Sequence, residues 1–160
     1  MAIVVGPSDW WVATPDAINA LAAACPEGTT LPDGSRIICK AGGVAWIVAP
    51  SSTEVSQTWN NSTTTLVGNK CCACDWPTLC ARLIARGFNP SDWCVPSVTN
   101  LYNPGYVCRS KWDTFAAAFY WSSTEGSSTT SCSVNFGSGN LDANSKTTTS
   151  CVRAFRRVTY

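Results

Sequence analysis

Residues 119–160 read FYWSSTEGSSTTSCSVNFGSGNLDANSKTTTSCVRAFRRVTY, and this stretch decides the fold of the chain. It predicts three short strands, at 119–121, 132–136 and 151–155, each bounded by turn-forming residues. A polar loop rich in Gly, Asn and Asp separates the second strand from the third. The pattern indicates an antiparallel β-rich end to the domain.

The second and third of these strands are predicted to pair with each other. If Phe136 pairs with Thr147, then Cys132 lies opposite Cys151 on one face of an antiparallel hairpin. Opposite positions of this kind are close enough for a disulfide bond. We therefore expect a Cys132–Cys151 disulfide.

Five motifs follow one another along the chain. They are AGGVAWIV (41–48), CARLIARGFNPSDWCVPSVTNL (80–101), FYWSSTE (119–125), SVNFGSGN (133–140) and CVRAFRR (151–157). In this order they resemble a bacterial and phage C-type-lectin-like domain family, which includes the C-terminal domain of bacterial collagen-like adhesins. The resemblance covers about residues 42–158. It implies an α+β, C-type-lectin-like fold with short helices and antiparallel sheets, here rich in disulfides.

Six residues in or next to these motifs are expected to have structural roles. Cys132 and Cys151 stand where the family usually has aromatic residues, so a covalent clamp is expected in place of a stacked pair. Four other motif residues carry further expectations. Glu125 should tie a strand end to a loop, Asp92 should hydrogen-bond a turn rather than catalyse, and Trp121 should lie in the core. Arg153 should be buried beside an acid, since a lone buried charge is costly.

Length and composition predict one domain, with a family-matching core at 41–160 and an N-terminal arm at 1–40. Only 13% of the residues are charged, while Ser, Thr, Asn and Gly are abundant, as is typical of extracellular or virion-surface proteins. A formal charge of +1 without a long basic run argues against a nucleic-acid partner. No apolar run is long enough to span a bilayer.

The ten cysteines predict a disulfide framework that forms in oxidising surroundings. The N-terminal sequence MAIVVGPSDWW nevertheless lacks the features of a signal peptide. Together these observations favour release by host lysis, as for a phage structural protein. Replacement of a natural signal by an initiator Met is the weaker alternative.

The N-terminal arm is predicted to contain a helix that starts at Thr14-Pro15-Asp16 and a hairpin at 29–39 around a PDGS turn. Cys25 and Cys39 flank this hairpin, and we expect a Cys25–Cys39 disulfide that clasps it. The arm is either an ordinary lead-in to the fold or a segment that docks the domain on a larger assembly.

The sequence gives little support to catalytic or metal chemistry. The chain contains no histidine, which removes Ser-His-Asp and Cys-His catalysis. Formylglycine-generating enzymes are distant relatives of the family, but their signature segments are not present here. The cysteines at 71, 72, 74 and 80 could bind zinc, yet disulfides with partners such as Cys94 or Cys108 are favoured, because the spacing fits no standard zinc motif.

A calcium-binding ligand loop is a further alternative, although loops of this composition are usually only solvated. We expect a non-enzymatic protein without a cofactor. The residues whose oxygens could serve as such ligands are Glu125, Asn140, Asp142 and Asn144.

Two functions remain. The first is a phage virion surface protein of the capsid decoration or cement type, which contacts other virion proteins and is expected to form a homo-oligomer. The second is a receptor-binding module at a tail tip or fibre, which contacts a host glycan or protein. A bacterial surface adhesin is a third and weaker option. The virion surface is the expected location in either of the first two cases.

Overall fold

The structure is a computed structural model that describes residues 15–59 and 65–160. Within these ranges the fold is mixed α+β, with three short α-helices and eight strands in two sheets, so the class expected from the sequence is confirmed. The helices are α1 (Pro15–Ala24), α2 (Pro77–Ala85) and α3 (Val98–Asn100). The strands are β1 (Arg36–Ala41), β2 (Val44–Val48), β3 (Val55–Gln57), β4 (Phe119–Glu125), β5 (Thr130–Asn135), β6 (Leu141–Ser145), β7 (Ser150–Val152) and β8 (Phe155–Thr159).

The smaller sheet has the order β1-β2-β8, and both of its strand pairs are antiparallel. A tight turn joins β1 to β2 through Gly42 and Gly43, whose φ angles of 59° and 76° favour glycine. β2 reads VAWIV and has partners along both edges, and accordingly Ile47 and Val48 are fully buried. This sheet brings the C-terminal strand β8 beside the N-terminal half of the chain.

The larger sheet has the order β3-β7-β4-β5-β6, and its register corrects the hairpin predicted from the sequence. β5 pairs with β6, so that Cys132 lies opposite Ala143 rather than Cys151. The polar segment LDANS, predicted as loop, is an exposed edge strand, because main-chain hydrogen bonds to β5 suffice to hold it there. β7 instead lies on the other side of β4 and runs parallel to it.

The N-terminal part of the described chain follows the sequence prediction only in part. α1 forms, but the predicted Thr14 cap lies outside the described residues. The predicted 29–39 hairpin is present over a short length: Thr30 bridges Arg36, Ile37 N–H donates to Thr29 O, and Gly28 N–H donates to Ile37 O, while β1 pairs along its other edge with β2. The division between the N-terminal arm and the family-matching core, at residue 41, falls at the last residue of β1, which belongs to the smaller sheet.

Two apolar clusters form the core. The first packs α1 and α2 against the sheets, and it contains the T-shaped pair of Trp59 and Trp76, whose ring centroids are 5.9 Å apart. The second surrounds Trp112, which contacts the rings of Tyr120 and Phe155. The indole N–H of Trp112 has no hydrogen-bond partner among the described residues. Five of the six tryptophans within residues 15–59 and 65–160 are thus buried in the core.

Helix α2 shows the amphipathic pattern only in part. The sequence predicts a helix from Asp75-Trp76-Pro77 to about Arg86, with Gly87 just after its end and with an apolar stripe of Leu79, Cys80, Leu83 and Ile84. Leu79 and Leu83 are buried as predicted, whereas Ile84 is 61% exposed and does not belong to the buried stripe. The helix ends where predicted, since Gly87 adopts a φ of 85° and Phe88 N–H donates to Leu83 O at 2.9 Å. No helix in the described ranges is long and apolar enough to cross a membrane.

Candidate functional site: a cleft beside two paired thiols

Arg153 lies at the crossing from β7 in the larger sheet to β8 in the smaller one. Its side chain is 1% exposed and donates to Asp113 Oδ1 at 3.0 Å and to Glu54 Oε1 at 3.2 Å. It also donates to the main-chain carbonyls of Ala49 and Thr114. The sequence analysis expected a buried arginine beside an acid, and here two acids share it. The guanidinium therefore joins three chain segments at the point where the sheets meet.

The carboxylate of Asp113 beside Arg153 differs from a free acid. Burial by itself raises the pKa of Asp113, but N–H donors from Ser51 and Thr114 and the charge of Arg153 lower it below its usual value. Tyr120 donates its hydroxyl to Glu54 Oε1 and accepts from Ala116 N–H. Burial and this bond to Glu54 raise the pKa of Tyr120 far above its usual value. The cluster is a saturated structural network rather than an acid–base pair.

Lys146 and Glu125 form a second buried ion pair, at 2.6 Å, with side chains only 1% and 7% exposed. Glu125 also accepts the N–H groups of Val67 and Gly68, at the end of β4. Burial raises the pKa of Glu125, whereas the hydrogen bonds from Lys146, Val67 and Gly68 lower it overall. The ammonium group lies 5.0 Å from the centre of the Trp59 ring. Glu125 thus ties the strand end to the loop that precedes Lys70.

The other three residues of the possible ligand loop lie along or next to the edge strand β6. Asn140 accepts Asn135 N–H through its carbonyl, Asp142 accepts Ala143 N–H, and Asn144 donates its amide to Ser133. The structure does not gather these residues around Glu125, whose oxygens are engaged by Lys146 and by main-chain N–H groups. In residues 15–59 and 65–160 no group of three or more His, Cys, Asp or Glu could hold a metal ion.

Trp121 and Asp92 have structural surroundings. Trp121 is 1% exposed and donates its indole N–H to Gln57 O at 3.0 Å. Asp92 closes a 3-10 turn, Pro90–Asp92, that is capped by the preceding Asn89 side chain rather than by Asp92 itself. The side chain of a capping residue accepts hydrogen bonds from the N–H groups that follow it in the chain. Asn89, which precedes the turn, is therefore better placed to cap it than Asp92.

The cysteine pairs expected from the sequence are not bonded. β4 separates Cys132 on β5 from Cys151 on β7, so the predicted disulfide between them is wrong for this arrangement. Cys25 packs against the first core cluster, whereas Cys39 packs against the second, as does Cys108. The two cysteines that were expected to clasp the hairpin therefore lie against different clusters, and both are free. Burial, followed by the Cys108 thiol, raises the pKa of Cys39 to about 11.

The sulfur atoms of four other cysteines lie in segments 71–74 and 93–95, which together form one wall of a surface cleft. Cys72 is bonded to Cys74, and Cys71 Sγ lies 3.6 Å from Cys94 Sγ. The wall is built by main-chain pairing, because Val95 N–H donates to Cys71 O at 2.7 Å. Cys94 in turn exchanges two main-chain hydrogen bonds with Phe155, at 2.7 and 2.8 Å. Segment 71–73 is thereby attached through segment 93–95 to the smaller sheet.

This wall borders a surface cleft of about 320 Å³, which we call the Trp46 cleft. Buried Val95, Pro96 and Phe155 form its apolar base, and half-buried Trp46 forms an aromatic side. The guanidinium of Arg157 lies 6.0 Å from the Trp46 ring and is the one charged group among the described residues that line the cleft. The other polar or sulfur-bearing lining residues are Asn69, Cys71, Cys94, Ser97, Asn100 and Ser123.

The lining of the cleft suits the binding of a small polar ligand. Its amide and hydroxyl groups, one cation and an aromatic face suit a hydroxyl-bearing or anionic ligand. Burial, followed by the neighbouring Cys71 thiol, raises the pKa of Cys94 to about 11, so Cys94 is a poor nucleophile at neutral pH. Trp46 and Arg157 were not among the site residues predicted from the sequence. No sequence pattern joins them, because they become neighbours only through the pairing of β2 with β8.

Comparison with known proteins gives no further assignment. No protein-family model matches the chain, and no curated protein matches it.

Proposed function

We propose that this chain is a non-enzymatic surface protein of a phage particle, of the capsid decoration or cement type, with a C-type-lectin-like fold. The proposed fold is supported by the positions of the motifs that resemble the C-type-lectin-like family. AGGVAWIV supplies the central strand β2 of the smaller sheet, and FYWSSTE is strand β4 at the centre of the larger one. The CVRAFRR motif supplies the crossing between the sheets.

The proposed role depends on one observation: among the described residues, the buried cations Arg153 and Lys146 each hold separate chain segments together through ion pairs. Arg153 joins the sheet crossing to Glu54 and Asp113, and Lys146 holds Glu125 at the end of β4. Buried polar networks that are well satisfied make a domain rigid. A rigid domain with a Ser-, Thr- and Asn-rich exterior suits a passive role on a particle, where it would contact other virion proteins as a homo-oligomer.

Copy number on purified phage particles tests this proposal. Quantitative mass spectrometry of whole particles and of separated tails should find the chain on capsids, in numbers comparable with those of the major capsid protein. Absence from the particles, or presence in the tail fraction alone, would overturn the decoration role.

The Trp46 cleft favours a second candidate, a receptor-binding module that contacts a host glycan or protein. Sugar rings stack on accessible aromatic faces, and the half-buried Trp46 lines the cleft together with Asn69 and Asn100. The purified protein should then block phage adsorption, and Arg157→Ala should weaken the block at least tenfold. Arg82→Ala, on the exposed face of α2, is the matched control and should block like the parent. Equal blocking by both variants would refute a role for the cleft.

A further inference from the structure

Cys71 and Cys94 are the exposed thiol pair for which the structure gives a short sulfur–sulfur distance. Their Sγ atoms lie 3.6 Å apart, and both residues are exposed on the wall of the Trp46 cleft. A disulfide needs an S–S distance of about 2.05 Å, so closure requires the two sulfurs to approach by roughly 1.5 Å. Side-chain rotation can supply this approach, since the main chains on both sides are already hydrogen-bonded to each other.

We propose that Cys71 and Cys94 form a cystine that closes the wall of the Trp46 cleft, so that the cleft is complete only in oxidising surroundings. This inference concerns the covalent state of the cleft, and it stands independently of which partner the proposed function requires. It also reduces to one pair the expectation from the sequence, in which the cysteines at 71, 72, 74 and 80 had partners such as Cys94 or Cys108.

The chemistry balances with a small-molecule disulfide, such as oxidised glutathione, as the oxidant. The Cys71 and Cys94 thiols together lose two protons and two electrons, and one S–S bond forms between them. The S–S bond of the oxidant breaks, and its two sulfurs take up these protons and electrons to give two thiols. A mixed disulfide between the oxidant and one of the two cysteines is the intermediate step.

The surroundings of the pair favour a stable cystine. Disulfides become strongly oxidising when the protein stabilises the thiolate of the reduced form. The surroundings of Cys94 instead disfavour its thiolate, since desolvation raises the pKa of this thiol. The reduced form is therefore not stabilised in this way. The bond would also attach segment 71–76, which carries the buried Trp76, to segment 93–95 beside β8. Reduction is then expected to loosen the wall that Cys71 and Cys94 form.

Cys72 is the competing partner for Cys94 and must be distinguished from Cys71. It lies opposite Cys94 in a main-chain bridge, a position that also allows cross-strand disulfides. In the structure, however, Cys72 is bonded to Cys74, which leaves Cys71 as the thiol within 3.6 Å of Cys94.

Peptide mapping of the full chain, refolded in a mixture of reduced and oxidised glutathione and digested without reductant, tests the proposal. Trypsin should yield peptide 71–82 linked to peptide 87–109, and reductant should separate the two with a gain of two hydrogens. Because peptide 87–109 also contains Cys108, chymotryptic cleavage at Leu101, Tyr102 or Tyr106 is needed to assign the link to Cys94.

Variants then identify the partner. Cys71→Ser should abolish the link to the Cys94 peptide, whereas Cys72→Ser and the α2 control Cys80→Ser should retain it. Should a variant fail to fold, electron-transfer fragmentation between positions 71 and 72 of the parent's linked peptide gives the same assignment. A link from Cys72 to Cys94, or alkylation of Cys71 and Cys94 as free thiols in the oxidised protein, overturns the proposal.

A thermal measurement supports the mapping. Under non-reducing conditions Cys71→Ser, Cys94→Ser and the double variant should all melt about 6–12 °C below the parent, because each removes the same loop constraint. A double variant that melts well below both single variants would contradict a shared bond.

Discussion

Arg153→Met is the substitution that most directly tests the role of the buried cation at the sheet crossing. It keeps an apolar stem beside Trp112 but removes the charge that Glu54 and Asp113 share. Removing one partner of a buried ion pair costs ~3–5 kcal/mol. The two carboxylates are 20% and 25% exposed and can regain some hydration, so we expect the lower end, about 3 kcal/mol. For a chain of this size the corresponding loss in Tm is about 6–12 °C.

Urea and thermal unfolding at pH 7, followed by tryptophan fluorescence, measure this loss. Arg153→Lys should recover part of it, since it restores the charge but not the planar fork that reaches two carbonyls and two acids. Arg156→Met is the matched control on the neighbouring strand. Its guanidinium bonds Asn19 Oδ1 at an exposed site, so a change of at most about 1 kcal/mol is expected. A loss in Arg153→Met no larger than that of the control would refute the reasoning.

Two further predictions concern backbone space and acid stability. Gly139→Ala places a Cβ 2.7 Å from the Tyr106 ring, whereas Gly68→Ala, at a similar positive φ, meets nothing within 4 Å. In denaturation experiments the Gly139→Ala variant should therefore be less stable than the Gly68→Ala variant by ~1–3 kcal/mol. Equal losses of stability in the two variants would argue against the contact with Tyr106. The lowered pKa of Asp113 means that its stabilisation is present above the pKa of the unfolded chain and is lost as pH falls through the folded value. Asp113→Asn should flatten the fall in stability below about pH 4, and an unchanged acid profile would contradict this.

The candidate site was predictable where a residue's role follows from its own burial. Arg153 stands in an alternating strand pattern, and Glu125 ends one, so their partners could be expected to be an acid and a loop. The Trp46 cleft could not be found in this way. Its lining comes from five separate parts of the chain, near residues 46, 69–71, 94–100, 123 and 155–157, and no local pattern records that they meet.

Local patterns in the sequence predicted the positions of β4 and β5 and the end of α2 at Gly87, because alternation and capping are local properties. The α+β class and the strand β2 were expected from the family resemblance of the motifs. Only the tertiary structure decided which strands are neighbours. The insertion of β4 between β5 and β7 separates Cys132 from Cys151, and the pairing of segments 71–73 and 93–95 brings Cys71 to Cys94. A strand's pattern specifies which face is buried but not which edge it joins, and the choice of edge depends on packing across the whole core.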